Sequence, residues 1–414
     1  YKIIAMYNII FFIIIAFLIL NFVSEQWVSY LNAKCFGKPI PSILKGIYDE
    51  EKYQKQQAYS KENYRFSLLS SSVSMLIIFI ALFVGFFGWL DTYLRLYISN
   101  EVFLPLAFFA VLYVINEIID TPFEYYQTFA IEDKYGFNKT TKKIFISDKF
   151  KNLLLSAVIG GVLLGLIVWF YTLIPDYFWL LAWLVISLFT IFILMFYSEW
   201  IVPMFNKQTP LEEGDLRTKI EEFATKAGFT IKNIYVIDGS KRSTKANAYF
   251  SGLGSKKRIV LYDTLIKELS SEEIVAVLAH EIGHYTKKHT LSMLFVSLLS
   301  NLFMLWLLGF FLANPLLSQA MGGSEPSFHL GLLAFGILYT PISVLLGLAV
   351  NAFSRKHEYQ ADAYAKSFGL SQALISALKK LSETSLSNLQ PHKAYVFMHY
   401  SHPTLLQRIE ALQS

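Results

Sequence analysis

Only one cysteine, Cys35, occurs in the 414 residues. That excludes an intrachain disulfide and a thiolate metal site, so any zinc must be held by histidine and carboxylate groups. Charge is scarce as well. Charged residues make up 16% of the chain against 54% hydrophobic, and mean hydropathy is +0.43, which excludes an ordinary soluble globular protein. The motif that places a third histidine six residues after an HExxH pair is also missing, because Thr290 stands there and Lys287 stands where its midway glycine would be.

What the chain has instead is long apolar runs. Those at about 3–23, 67–90, 101–121, 153–174, 178–201, 290–313 and 329–353 can each cross a hydrocarbon core about 30 Å thick. The expected fold class is a mainly α integral membrane protein with seven transmembrane helices. The first run is too long for a signal-peptide core and ends without a small-residue cleavage site, so it is expected to be retained. Leu31–Cys35 resembles a lipoprotein box only superficially, since Lys34 precedes the cysteine. With seven spans, segments 24–66, 122–152, 202–289 and 354–414 share one side and hold every Lys and Arg except Lys2 and Arg95. The positive-inside rule makes that side cytosolic, with the N-terminus outside and the Asn138 sequon unglycosylated. The net charge of +5 follows from this asymmetry and carries no nucleic-acid inference.

The chain divides into 1–201 (spans one to five with their loops), 202–289, 290–353 (spans six and seven) and 354–414. Within the second segment, Thr209-Pro210 is expected to open a helix from Leu211 to Ala227, stopped by Gly228. Three β-prone runs follow, 234–237, 248–250 and 258–262, separated by Gly239, Gly252 and Gly254. In the third span Asn116, Glu117, Asp120 and Glu124 recur near helical spacing, either lining a water-filled cavity or marking an interfacial helix end.

His280-Glu281-Ile282-Gly283-His284 carries the chemistry. Histidines four apart lie on one helix face and can reach a single Zn²⁺, with Glu281 placed to act as general base on the attacking water. A capping box, Ser270 to Glu273, and the apolar spacing of Ile274, Val275, Val277 and Leu278 put the motif on a helix. No Pro or Gly follows until Gly309, so this helix and the sixth span are expected to form one rod. His289 would then point away, about 180° round the helix from His280. A carboxylate from elsewhere must complete the usual three ligands. Glu325 is on the wrong side, and Glu383 and Glu410 lack an anchor. Glu358 and Asp362, one turn apart on a helix emerging from span seven and stopped near Gly369, are favoured. One would bind metal and the other accept the free N–H of a zinc-bound imidazole; spacing alone leaves these two roles exchangeable.

These residues resemble the membrane-bound glutamate-zincins. Glu132-Asp133-Lys134-Tyr135-Gly136-Phe137-Asn138, Ser240–Ser243 with Asn247–Gly252, and His402-Pro403 with Arg408 narrow the resemblance to the type I CAAX prenyl endopeptidases over nearly the whole chain. The resemblance implies seven helices enclosing a chamber, closed at its cytosolic end by a zinc-protease domain with a small β-sheet. It implies one Zn²⁺ on His280, His284 and Glu358, Glu281 as catalytic base, and substrate lying along an edge strand at Asn247, Ala248, Tyr249 and Phe250. His402 and Arg408 resemble residues near the reaction centre, where either would stabilise the oxyanion. The expected substrate is a prenylated protein or peptide ending in a CAAX box, and the expected partner surface is the lipid bilayer. The chain is shorter than the better-known eukaryotic members and shows no dilysine signal at Ala411–Ser414. A bacterial inner membrane is therefore favoured, with the endoplasmic reticulum as the eukaryotic alternative. General membrane quality-control proteolysis without a prenyl requirement is the competing activity; a transporter or a non-catalytic scaffold is the competing class.

Overall fold

The computed structural model describes residues 6–229, 234–252 and 258–414; the start of the 3–23 span and Gly254 lie outside them. Helices are numbered along the chain. α1 (Ile9–Ala33) and α2 (Glu50–Phe83) come first, and Asp49 caps α2 by accepting the Lys52 N–H at 2.7 Å, with Glu50 and Glu51 in the first turn where the helix dipole favours anions. Gly85, at φ +68°, turns the chain into the short α3 (Phe86–Arg95). Then come α4 (Phe103–Glu132), α5 (Lys142–Leu173) and α6 (Phe178–Phe205).

The expected helix at 211–227 begins late. Gln208–Pro210 forms strand β1, paired antiparallel with β2 (Ile234–Ile237), and α7 spans Asp215–Lys226. Pro210 suits an edge strand, because its missing N–H is not needed there. β3 (Ala248–Ser251) and β4 (Arg258–Tyr262) complete a sheet of order β1-β2-β4-β3. β2 and β4 run parallel and both outer strands antiparallel, so β3 is an edge. After α8 (Asp263–Glu268) comes the motif helix α9 (Ser271–Thr286), started by the Ser270–Glu273 capping box. Burial opposes the charge on Glu273, but Lys380, Ser376 and the Ser270 N–H hold its carboxyl below the usual range.

α9 and the sixth span are not one rod. α9 stops at Thr286, Lys288 adopts the left-handed conformation at φ +58°, and α10 (His289–Leu312) starts afresh. Nothing in Lys287-Lys288 is a conventional breaker, and the strain at Lys288 is carried by packing on either side. The seventh span is also broken. After α11 (Pro315–Ala320), α12 (Phe328–Leu338) and α13 (Thr340–Ser367) meet at 51°. Pro341 near the start of α13 has no N–H for the Ile337 carbonyl, which prevents a straight continuation. α13 runs far past the apolar stretch to Ser367 and ends at Gly369, φ +78°. α14 (Ser371–Thr384), α15 (Lys393–His399) and α16 (Leu405–Gln413) close the chain.

Among the described residues, six helices are long and apolar enough to span a membrane, and the bent α12–α13 pair makes seven. Each contacts its neighbours in the order α1, α2, α4, α5, α6, α10, α12 and back to α1. This is a closed ring. In the six single-helix spans only 6–17% of the most apolar window is buried by protein, far less than a packed bundle would show, so the ring encloses a chamber. The polar stripe on α4 is tied to the next span, since Lys149 Nζ lies 2.9 Å from Glu117 and 2.6 Å from Glu124.

The loops 24–66 and 122–152, the segment 202–289 and the C-terminal helices share one hydrophobic core at one end of the ring, including Tyr48, Phe137, Leu261, Leu278 and Leu374. Within it the 132–138 loop has a structural task. The Phe137 carbonyl accepts the Thr244 N–H at 3.1 Å, Lys139 N–H donates to the Arg242 carbonyl at 3.0 Å, and Tyr59 packs edge-on against Tyr135 and Phe137. Arg242 adds a two-pronged bond to Asp148 of α5 at 2.8 and 2.9 Å. The approach to β3 is thereby fastened to the membrane ring.

Replacing Lys288 by glycine should preserve the fold and raise stability by up to about 1 kcal/mol, because glycine adopts this conformation without steric cost. Proline there, with φ held near −65°, should cost about 3 kcal/mol or more. Thermal unfolding of the two variants in detergent tests this; an unchanged K288P would mean the α9–α10 break is not set at this residue.

Candidate metal centre

His280 and His284 leave α9 one turn apart, and their Nε2 atoms face each other at 3.1 Å. Glu358 of α13 closes a triangle, with Oε2 at 3.4 Å from His280 Nε2 and Oε1 at 3.2 Å from His284 Nε2. One donor atom from each residue lies within 4.8 Å of the others. Donors about 2.0–2.2 Å from a tetrahedral metal stand roughly 3.3–3.6 Å apart, close to the observed edges. Glu358 Oε2 is buried without a hydrogen-bond partner, and it converges with the two imidazole Nε2 atoms on one point, where they can share a proton or hold a metal ion between them. The donor set, two imidazole nitrogens and one carboxylate, fits a divalent metal ion.

Asp362, one turn beyond Glu358 and 1% exposed, lies with Oδ1 2.8 Å from His280 Nδ1. Glu358 thus faces the metal-side nitrogens and Asp362 the far side of one ring, which separates two carboxylates that spacing left exchangeable. Arg408 of α16 grips Asp362, donating from Nη2 to Oδ1 at 2.6 Å and from Nε to Oδ2 at 2.9 Å. Its Nη1 is 3.8 Å from Glu358. Burial resists a charge on the His280 ring, but the bonds to Asp362 and Glu358 outweigh it and hold its pKa up at about 8. A metal ion therefore competes with a proton for this ring below that pH. His402 sits at the mouth of the site, its side chain 62% exposed and Nε2 3.2 Å from Glu358 Oε1.

A cleft of about 440 Å³ opens on this triangle, lined also by Glu281, Asn247, Ala248, Phe250, His402 and Arg408. Tyr249 is not brought to it. Its side chain lies on the opposite face of β3, packed with Val202, Ile237 and Val260, because strand residues alternate. The register determines what the edge offers. The Tyr262 N–H donates to the Asn247 carbonyl at 3.1 Å, so residues 247, 249 and 251 turn their main-chain groups toward β4, while Ala248 and Phe250 turn theirs outward.

His289 does not point away. With α10 starting at a new angle, its Nδ1 lies 3.0 Å from His284 Nδ1 and its Nε2 2.8 Å from Gln360 Oε1. His357 stacks on its ring at 3.9 Å. Sequence reasoning missed His289, Gln360 and His357 because a continuous rod was assumed; the only signal was the dense run of polar groups around Glu358.

α9 and α13 can bring these groups together because residue 283 is glycine. A Cβ there would meet Tyr364 Cβ at 3.0 Å, Ala361 Cα at 3.1 Å and the Ala361 carbonyl oxygen at 3.2 Å. The motif helix lies directly on the helix that carries Glu358 and Asp362.

Fold and site together define a metallopeptidase integral to a membrane. Comparison with known proteins makes this specific. Residues 29–207 match the family described as "CAAX prenyl protease N-terminal, five membrane helices" and residues 210–414 match "Peptidase family M48". CAAX prenyl protease 1 of Saccharomyces cerevisiae is 36% identical over 97% of this chain and 94% of its own. The human CAAX prenyl protease 1 homolog is 30% identical over 91% of this chain and 89% of its own. The crystal structure of S. mikatae Ste24p superposes with a TM-score of 0.93 at 34% identity, covering 98% of this chain and 100% of that one. The chain belongs to the CAAX prenyl protease branch of peptidase family M48.

Gly283→Ala should wedge α9 from α13, lowering stability by about 1–3 kcal/mol and weakening metal retention. Gly336→Ala, where an added Cβ meets nothing within 4 Å, should change neither. Chelator competition alongside thermal unfolding reads both; full metal affinity in G283A would show that this approach does not set the site.

Proposed function

We propose that this protein is a zinc endopeptidase that removes the C-terminal tripeptide of prenylated CAAX proteins, working at the cytosolic face of its membrane. The observation that carries the reading is the meeting of the His280–His284–Glu358 triangle with the outward edge of β3 in a single cleft, in a chain related along nearly its whole length to proteins named CAAX prenyl protease 1. The relatives compared are eukaryotic, which favours the endoplasmic reticulum over a bacterial inner membrane.

In this reading His280, His284 and Glu358 hold one zinc ion, which supplies Lewis-acid polarisation of the scissile carbonyl and makes water a competent nucleophile near neutral pH. Glu281 takes the proton from the attacking water and hands it to the departing amine. Asp362 fixes the His280 ring with Nε2 toward the site by accepting its Nδ1–H, and Arg408 holds Asp362 in place. Since Arg408 already spends Nε and Nη2 on that task, His402, at the open mouth, is the better donor to the developing oxyanion. The substrate pairs as an added strand with the outward main-chain groups of Ala248 and Phe250, displacing Asn247 Oδ1 from the Ala248 N–H it accepts at 2.8 Å, a mode that grips any extended chain. Asn247 and Tyr249 hold that strand to the sheet from its other side.

Purified protein in detergent, offered a farnesylated CAAX peptide and its unprenylated twin, should release the terminal tripeptide only from the first. Glu281→Gln should reduce kcat by several orders of magnitude with zinc still bound; retained turnover would remove Glu281 from the role of base. Equal cleavage of both peptides would replace the CAAX reading with general proteolysis. Ala248→Pro removes an N–H that donates to Asn247 Oδ1 at 2.8 Å until substrate takes it, and it touches no bond to β4, so KM should rise by up to about tenfold, as loss of one hydrogen bond predicts, while the unfolding temperature stays close to wild type.

A further inference from the structure

His284 has a ring nitrogen on each side, and only one of them faces the triangle. Its Nε2 points at His280 and Glu358, so as a metal ligand it presents a lone pair there and carries its proton on Nδ1. That N–H is directed at His289 Nδ1, 3.0 Å away. To accept it, His289 must present a lone pair at Nδ1 and carry its own proton on Nε2. That second N–H in turn meets Gln360 Oε1 at 2.8 Å. Every proton position is determined by the one before it, and the chain ends on an amide oxygen that can only accept.

We propose that His289 is the positioning residue for His284, acting through a neutral relay from His284 through His289 to Gln360. It rests on the reading that His280, His284 and Glu358 hold a metal ion. Three contacts fix the His289 ring. His284 and Gln360 hold its two nitrogens, and His357 covers one face at 3.9 Å with the planes 9° apart. His289 is 4% exposed, so little water competes for its bonds. The break at Lys288 is what makes the contact: on a continuous helix the ring would lie on the far side.

The two histidine ligands are consequently backed differently. His280 leans on Asp362, a carboxylate neutralised by Arg408, whereas His284 leans on an uncharged imidazole. A carboxylate raises the donor strength of the ring it supports. A second one behind His284 would add another negative charge next to Glu358 and Glu281, and draw down the electrophilicity of the metal. The neutral relay orients the ring without that charge. About one and a half turns of α13 supply all of this, with His357, Glu358, Gln360 and Asp362 serving in succession as face contact, ligand, relay terminus and partner of the other ring.

Two substitutions separate positioning from packing. His289→Asn places an oxygen where Nδ1 stands and keeps the acceptor, but loses the stack on His357. His289→Phe keeps the stacked ring and loses both bonds. The measurement is the zinc dissociation constant of the full-length protein in detergent, by chelator competition, with thermal unfolding of each variant alongside. H289F should bind zinc about 10–100-fold more weakly, the usual effect of removing a group that orients a metal ligand, and H289N should stay within about threefold of wild type on the same scale. The reverse order, or equal losses in both, overturns the proposal in favour of packing. Should H289F fail to fold, Gln360→Leu tests the same relay from an exposed position, where a severalfold loss supports it and unchanged affinity overturns it. Wild-type protein that binds no zinc removes the metal reading itself, a result distinct from wild type and H289F binding equally well.

Discussion

The structure depends on how closely α9 lies against α13. Each helix carries half of a metal site that neither could make alone: two imidazoles on one, two carboxylates on the other. Hydrogen bonds and metal bonds act only over about 3 Å, so the helix axes must approach to a distance that most side chains would prevent. Gly283 over Ala361 permits it. Much else serves that contact. The bend at Pro341 redirects α13 out of the ring, the capping box and its ties to α14 fix the start of α9, and the loop at 132–138 locks the sheet beside them.

Such a site concentrates charge where water is scarce. Glu358, Asp362 and Arg408 are all close to buried, and leaving any of them unpaired would cost several kcal/mol. The arrangement closes on itself: Arg408 answers Asp362, Asp362 answers His280, and a divalent ion answers Glu358. The opposite end of the ring repeats the logic without a metal. Asp91 and His329, each 1% exposed, bond at 2.8 Å with Arg95 as the second partner of Asp91, joining α3 to the start of α12. Both ends of the bent seventh span are thus anchored by buried polar contacts, and the apolar middle is left to lipid and neighbouring helices.

Much of this was legible from residue order. Helical periodicity placed His280, His284, Glu358 and Asp362 on two matching faces, and hydropathy located the spans, because both signals come from rules that act within a few residues. What escaped was set by tertiary contact. Lys288 looks like any other helix residue, and only packing around it shows that the chain turns there and swings His289 back to the site. Thr209-Pro210 carries a helix-start signal, yet β2 lay free to pair with it and the strand won. The break before Pro341 was written in the sequence but hidden in an apolar run long enough to read as one span. Which face of β3 Tyr249 would take was open, because a strand's alternation has no meaning until one residue in it is anchored, and the anchor is the bond from Tyr262.

The outward edge of β3 has a consequence for selectivity. Atoms of the main chain are the same in every protein, so an edge that holds its guest through them is indifferent to the identity of the side chains. On the proposed reading, the closed ring of spans beside the site shifts the choice elsewhere: an edge of this kind takes only a chain end that is already extended and is delivered near the bilayer. On that reading discrimination becomes a matter of access, with a lipid group on the substrate serving as an address that brings the right chain end to an indifferent blade.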